Sequence, residues 1–163
     1  MTTLTQAAER HLDDVYGYLS YLVGDRGLAE ELAAETFERA TRLWSRFDES
    51  RGSARTWLCQ LARTVALDHF RSEKRRLRRE DAFARELPAA DEGRFGEGLS
   101  PALEAALARL SPGEREAIAL RVVLDLDGET AAHVLGISPT ACSTRLSRAL
   151  AKLEKELEAH VAA

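Results

Sequence analysis

The stretch DGETAAHVLGISPTACSTRLSRALAKL, residues 127–153, constrains the fold more tightly than any other part of the chain. Asp127 is a strong N-cap residue for a short helix running to Leu135, and the small Ala131 and Ala132 allow a second helix to approach closely. Gly136 supplies the tight turn. Ile137 plugs the angle, and Ser138-Pro139 starts a second helix whose inner face is Cys142, Leu146, Ala149 and Leu153. This spacing predicts a helix-turn-helix. On the outer side Thr140, Ser143, Thr144, Ser147 and Arg148 recur three or four apart, so short hydroxyl donors and one guanidinium share a face that fits a major groove.

A helical hairpin with a merely solvated face is the plain alternative. Such a face normally carries Glu and Lys, because Ser and Thr lower helix propensity, and reading bases is one reason to accept that loss. Arg148 is placed to bond a guanine edge bidentately, while Arg145 and Lys152 are better placed for phosphates.

The remainder reads as helix too. Three of the four prolines follow a serine, and Ser100-Pro101, Ser111-Pro112 and Ser138-Pro139 each read as N-cap plus first helical residue; Ser111 with Glu114 adds a capping box. Leu103, Leu107 and Leu110 form one apolar stripe, and Ile118 with Val122 another. Nearer the start, Leu12, Val15, Leu19 and Leu22 repeat at helical spacing. A second helix with Leu28, Leu32, Glu35 and Arg39 follows the Gly24-Asp25-Arg26-Gly27 break, and a third begins near Ser53 and carries Trp57, Leu58, Leu61, Ala62 and Val65. Trp44 and Trp57 read as core. Only 6% of residues are aromatic and no alternating Val/Ile/Thr run is present, so the expectation is an all-α fold. With 163 residues, 45% of them hydrophobic, the chain can bury one modest core or two small ones.

Charge divides the sequence. The formal net charge is −4, yet residues 63–79 hold 7 basic side chains against only Asp68 and Glu73. Residues 80–98 then hold 6 acids and 2 arginines in a stretch rich in Gly and Pro. That reversal predicts a boundary: a helical domain over 1–79, an acidic flexible linker over 80–98, and a second helical domain over 99–163.

Several function classes drop out. No apolar run approaches the roughly 20 residues that span a bilayer, and the N-terminus lacks a signal-peptide pattern, so a cytoplasmic protein without membrane insertion is expected. Cys59 and Cys142 lie far apart, with no metal-binding spacing, which indicates neither a disulfide nor a metal. His11, His69, His133 and His160 are scattered, and no catalytic order or phosphate loop is visible, so no cofactor, catalytic residue or enzymatic activity is expected.

The segment GLAEELAAETFERATRLWSRFDESRGSARTWLCQLARTVALDHFR resembles region two of the extracytoplasmic-function (ECF) group of sigma-70 RNA polymerase sigma factors. The resemblance rests on Glu31-Leu32, Glu35-Thr36-Phe37, Arg39-Ala40, Phe47-Asp48, Arg51-Gly52, Trp57-Leu58, Ala62-Arg63, and Asp68 with Arg71. LEAALARLSPGEREAIALRVV and the helix-turn-helix after it resemble region four.

That resemblance implies a factor that binds core polymerase, directs it to promoters and promotes DNA opening. Glu31, Leu32, Glu35, Phe37 and Arg39 would dock on the clamp of the largest polymerase subunit, and region four would meet the flap region. Arg63, Thr64, Asp68, Arg71, Lys74, Arg75 and Arg76, continued by Arg78 and Arg79, would hold the minus-ten element. A single strand needs a cationic track and stacking surfaces, for which His69 and Phe70 are candidates, and Asp68 is expected to orient Arg71. Thr140, Ser143, Thr144, Arg145, Ser147 and Arg148 would read the minus-thirty-five element. Thr64, Ala34, Ser143 and Leu150 depart from residues common in the group, which implies an unusual promoter preference.

Such factors are commonly held by an anti-sigma protein, which the resemblance adds to the partners. The Val161-Ala162-Ala163 end resembles tails recognised by ATP-dependent proteases, with a frayed alanine-rich helix end as the plainer account. Two other classes stay open: a helical DNA-binding regulator independent of polymerase, and an interaction scaffold that never touches DNA.

Overall fold

The computed structural model describes residues 1–79 and 93–161, and among them every regular element is helical. Helix α1 spans Leu4–Val23, α2 Arg26–Leu43 and α3 Ala54–Arg79, with two short 3-10 turns, Trp44–Arg46 and Glu49–Arg51, between α2 and α3. After the undescribed stretch come α4 (Pro101–Ala108), α5 (Pro112–Ile118), a π-helical turn (Ala119–Val123), α6 (Gly128–Leu135) and α7 (Pro139–Val161). No described helix is long and apolar enough to cross a membrane.

Local chemistry sets most boundaries. Thr3 caps α1 in a reciprocal box with Gln6, and Gly24 ends that helix at φ 64°. Asp25 caps α2 by accepting from Leu28 N, so the expected four-residue break shrinks to a two-residue turn. Ser100, Ser111 and Asp127 cap α4, α5 and α6 as their sequence contexts imply, and the Ser111–Glu114 box is complete.

Helices α1, α2 and α3 pack into one bundle around Val15, Leu19, Leu32, Leu58, Ala62 and Val65. A second bundle packs α4, α5 and α6 against α7, burying Leu107, Leu110, Ala131, Ala132, Cys142 and Ala149. The two bundles touch: α1 lies against α5 and the π-turn, and α3 against α6.

Two core assignments change. Val122, expected beside Ile118 in the apolar stripe, is 55% exposed, whereas Leu120 and Leu124 are buried. Leu124 N donates to Ala119 O across five residues, and this wider turn rotates the face that an uninterrupted helical period would have buried. Leu12, at 50% exposure, likewise lies off the buried stripe formed by Val15, Leu19 and Leu22. The linker reading also changes at its end. Residues 80–92 lie outside the described residues, but Phe95 is fully buried against the first bundle rather than solvated.

Candidate polymerase and nucleic-acid surfaces

Three surfaces carry the residues singled out from sequence. On α2, Glu31 is exposed, Glu35 and Phe37 are half-buried, and Arg39 bridges two helices. The Arg39 guanidinium donates to Glu35 at 2.8 Å on its own helix and to Asp68 at 2.9 Å on α3. Those carboxylates raise the Arg39 pKa, the Asp68 hydrogen bond contributing most. Leu32 differs from its expected role. It is only 3% exposed and packed in the first core, because it falls on the inner face of α2, so it holds the helix in place rather than offering itself to a partner.

The second surface is the far half of α3, a helix about 39 Å long at 1.5 Å per residue. Thr64, Arg71, Lys74, Arg75, Arg78 and Arg79 are exposed along it. Thr64 donates its hydroxyl back to Gln60 O at 3.1 Å, and Arg76 is tied to Glu73 at 2.9 Å. Asp68 does contact Arg71, at 3.3 Å, but its shorter bond runs to Arg39, so one carboxylate links the α2 surface to the basic track. His69 and Phe70 are half-buried and meet edge to face at 6.1 Å. Arg63 stands apart from the track. Its guanidinium meets Glu116 of α5 at 2.9 Å.

Next to α3 lies a feature the sequence reading missed. Phe47 stacks on Trp44 at 4.7 Å, Trp57 meets Trp44 edge-on at 5.6 Å, and the half-buried cluster borders a cavity of about 810 Å³ rimmed by Arg46 and Arg51. Trp44 and Trp57, expected as core, are half-buried: they pack against the hydrophobic core and also wall this cluster. Aromatic faces beside guanidinium groups suit an unstacked base and its phosphate. The signal was the Phe47-to-Arg51 turn between two tryptophans, legible only once the turn brings them together.

The third surface is the outer face of α7. Thr140, Ser143, Thr144, Ser147 and Arg148 are all exposed. Gly136 turns the chain at φ 68°, Ile137 packs against the core, and Ala141 N donates to Ser138 Oγ at the start of α7. Two cations expected at phosphates are placed elsewhere. Lys152 is held by Glu114 of α5 at 3.1 Å, and Arg145 is half-buried, facing a cleft that it lines with Arg63, Leu67 and Phe70. Among the described residues no group of His, Cys, Asp and Glu has metal-binding geometry, and burial pushes the Cys59 thiol up to about 12. The Ala162-Ala163 tail lies outside the described residues.

The family model for Sigma-70 region 2 matches residues 7–76, and that for Sigma-70 region 4 matches residues 100–153. The chain is 37% identical to the probable RNA polymerase sigma-C factor of Mycobacterium bovis over 138 residues, covering 83% of this chain and 73% of that protein. It is 35% identical over 153 residues to the ECF RNA polymerase sigma factor BldN of Streptomyces coelicolor, covering 91% of this chain but only 58% of the longer relative. Among solved structures, the sigma factor RpoE in complex with the anti-sigma factor NepR from Bartonella quintana superposes with a TM-score of 0.83 at 24% identity, covering 94% of this chain and 96% of that one.

Proposed function

Because the chain belongs to the ECF group of sigma-70 RNA polymerase sigma factors, we propose that it joins core polymerase through α2, holds opened minus-ten DNA along α3, and reads the minus-thirty-five element with α7. The observation supporting this reading is that one chain presents two chemically unlike exposed surfaces, the cationic end of α3 and the hydroxyl-lined face of α7. A single-stranded backbone favours the first, because Lys74, Arg75, Arg78 and Arg79 offer charge with little directional chemistry. Intact duplex favours the second, because side chains on one helix face reach base edges in a major groove.

The protein performs no bond chemistry in this reading; it selects where the polymerase starts. Its net charge of −4 fits a factor that borrows most of its DNA affinity from the enzyme it joins. It works in the cytoplasm, where its template lies. An anti-sigma protein belongs among its partners, since the structural neighbour from Bartonella quintana is described bound to one.

Reconstitution with bacterial core polymerase and a promoter library tests the reading. The expected result is core-dependent transcription from defined starts, with Arg148→Glu losing roughly 5- to 150-fold in upstream-element preference, the range of one bidentate base contact. Glu35→Arg should weaken core binding, because it reverses charge on the exposed side of α2 and places two cations where Glu35 and Arg39 now pair. DNA binding with no effect of core would favour a polymerase-independent regulator. Tolerance of acidic substitutions on both α3 and α7 would favour a scaffold.

A further inference from the structure

The aromatic cluster beside α3 has a wall that the proposed function does not use. The cavity of about 810 Å³ bordered by Trp44 and Phe47 is also lined by Met1 and Thr2, the residues ahead of α1. Local bonds aim that segment. Thr3 N donates to Gln6 Oε1 at 3.0 Å, Thr3 Oγ1 accepts from Gln6 N at 3.2 Å, and Leu4 and Ala7 pack against the first core, so the start of α1 carries Thr2 to the turn between α2 and α3. There Thr2 N donates to Glu49 Oε1 at 3.1 Å, across 47 positions of sequence. That bond holds the Glu49 carboxyl below its usual pKa, so the acceptor is an ionised carboxylate at neutral pH.

The turn itself is otherwise bonded to its neighbours in the chain. Phe47 N donates to Trp44 O at 3.0 Å and Arg51 N to Asp48 O at 3.0 Å, while Ser50 gives both its N–H and its hydroxyl to Asp48 Oδ1, at 2.9 and 2.7 Å. Bonds of that range fix the shape of the turn but not its place on the bundle. Among the described residues, the bond from Thr2 is the one hydrogen bond that reaches residues 44–52 from a distant element. Ring packing supplies the rest, with Phe47 stacked on Trp44 and 5.7 Å from Trp57. Phe47 and Glu49 are two residues apart, so a shift of Glu49 carries the stacking face with it.

We propose that the segment ahead of α1 braces the DNA site, and that Thr2 and Glu49 are positioning residues that hold the Phe47 ring in place to stack on one unpaired base. The base comes from the opened minus-ten strand, which is where this proposal rests on the sigma-factor reading. Stacking is tolerant of base identity but not of where the ring lies, so a brace acts on how well a base is held rather than on which edge is read.

The test uses core polymerase reconstituted with the full chain, and a single-stranded oligonucleotide carrying the minus-ten region of a promoter that the enzyme starts from. Each base in turn is replaced by an abasic residue. In wild type one position should show a loss of about 5- to 150-fold, the range of one base stacked on an aromatic side chain. Glu49→Ala and Glu49→Gln remove the same charge, and only glutamine keeps an acceptor for Thr2 N, so their difference isolates the hydrogen bond. Glu49 is exposed, so neither substitution disturbs the core. Glu49→Ala should shrink the abasic penalty at that position by about 2- to 10-fold, the range of one net hydrogen bond, and Glu49→Gln should keep most of it. Strands already abasic there should bind both variants alike, because the cationic track of α3 is untouched.

The two tryptophans of the chain, Trp44 and Trp57, both lie in this cluster, so the fluorescence emission of the free protein should also differ between the two variants. Identical abasic profiles in Glu49→Ala and Glu49→Gln, identical emission, or a wild type with no position-specific loss would each overturn the brace. Failure of the sigma-factor reading looks different: the chain would not join core polymerase at all, and the emission comparison on the free chain would still decide whether Glu49 positions the ring cluster.

Discussion

Two glycines in this fold have nearly the same backbone and opposite surroundings, which makes Gly24→Ala a quantitative probe of how Phe95 is seated. Gly24 ends α1 at φ 64°, ψ 31°, and Gly136 ends α6 at φ 68°, ψ 32°. Alanine at either position carries the left-handed penalty of about 1–2 kcal/mol. A Cβ on Gly136 meets nothing within 4 Å, whereas one on Gly24 would lie 2.7 Å from Phe95 Cε1, 3.1 Å from Cζ and 3.2 Å from Arg94 Nε. Overpacking of that kind adds about 1–3 kcal/mol, so Gly136→Ala should cost about 1–2 kcal/mol and Gly24→Ala about 2–5 kcal/mol. The extra cost has a ceiling. Once strain exceeds what docking of Phe95 is worth, the ring leaves, and the penalty stops rising. Urea denaturation of Gly24→Ala, Phe95→Ala and the double variant isolates the steric part as a coupling energy of about 1–3 kcal/mol. Additivity within about 0.5 kcal/mol in that cycle would refute the seating of Phe95 against α1.

Asp68→Asn should cost about 0.5–1 kcal/mol, discounted because Asp68 is 41% exposed, and should lower the melting temperature by about 1–4 °C; an unchanged melt would remove the Arg39–Asp68 tie between α2 and α3. Leu120→Ala should cost about 2–5 kcal/mol and Val122→Ala less than about 0.5 kcal/mol, because Leu120 is buried and Val122 is 55% exposed; the reverse order in denaturant midpoints would restore the uninterrupted helical register.

The parts of this fold that the sequence made readable are those fixed by neighbours in the chain. Asp127, Gly136 and Ser138 specify the helix-turn-helix because a cap, a left-handed turn and a second cap act over three or four residues. Helical periodicity alone misplaces Val122, because the bond from Leu124 N to Ala119 O leaves no mark in composition; it shifts phase without any proline or glycine to announce it. Composition assigns Phe95 to a linker because the acids and glycines around it outweigh one aromatic ring, and only the left-handed turn at Gly24, far away in sequence, makes room for that ring. Resemblance groups Leu32 with its polar neighbours, although helical geometry turns it inward from Glu31 and Glu35. Arg63 belongs to a run of seven basic residues, and nothing local distinguishes it from the other six; Glu116, its partner, is 53 residues away.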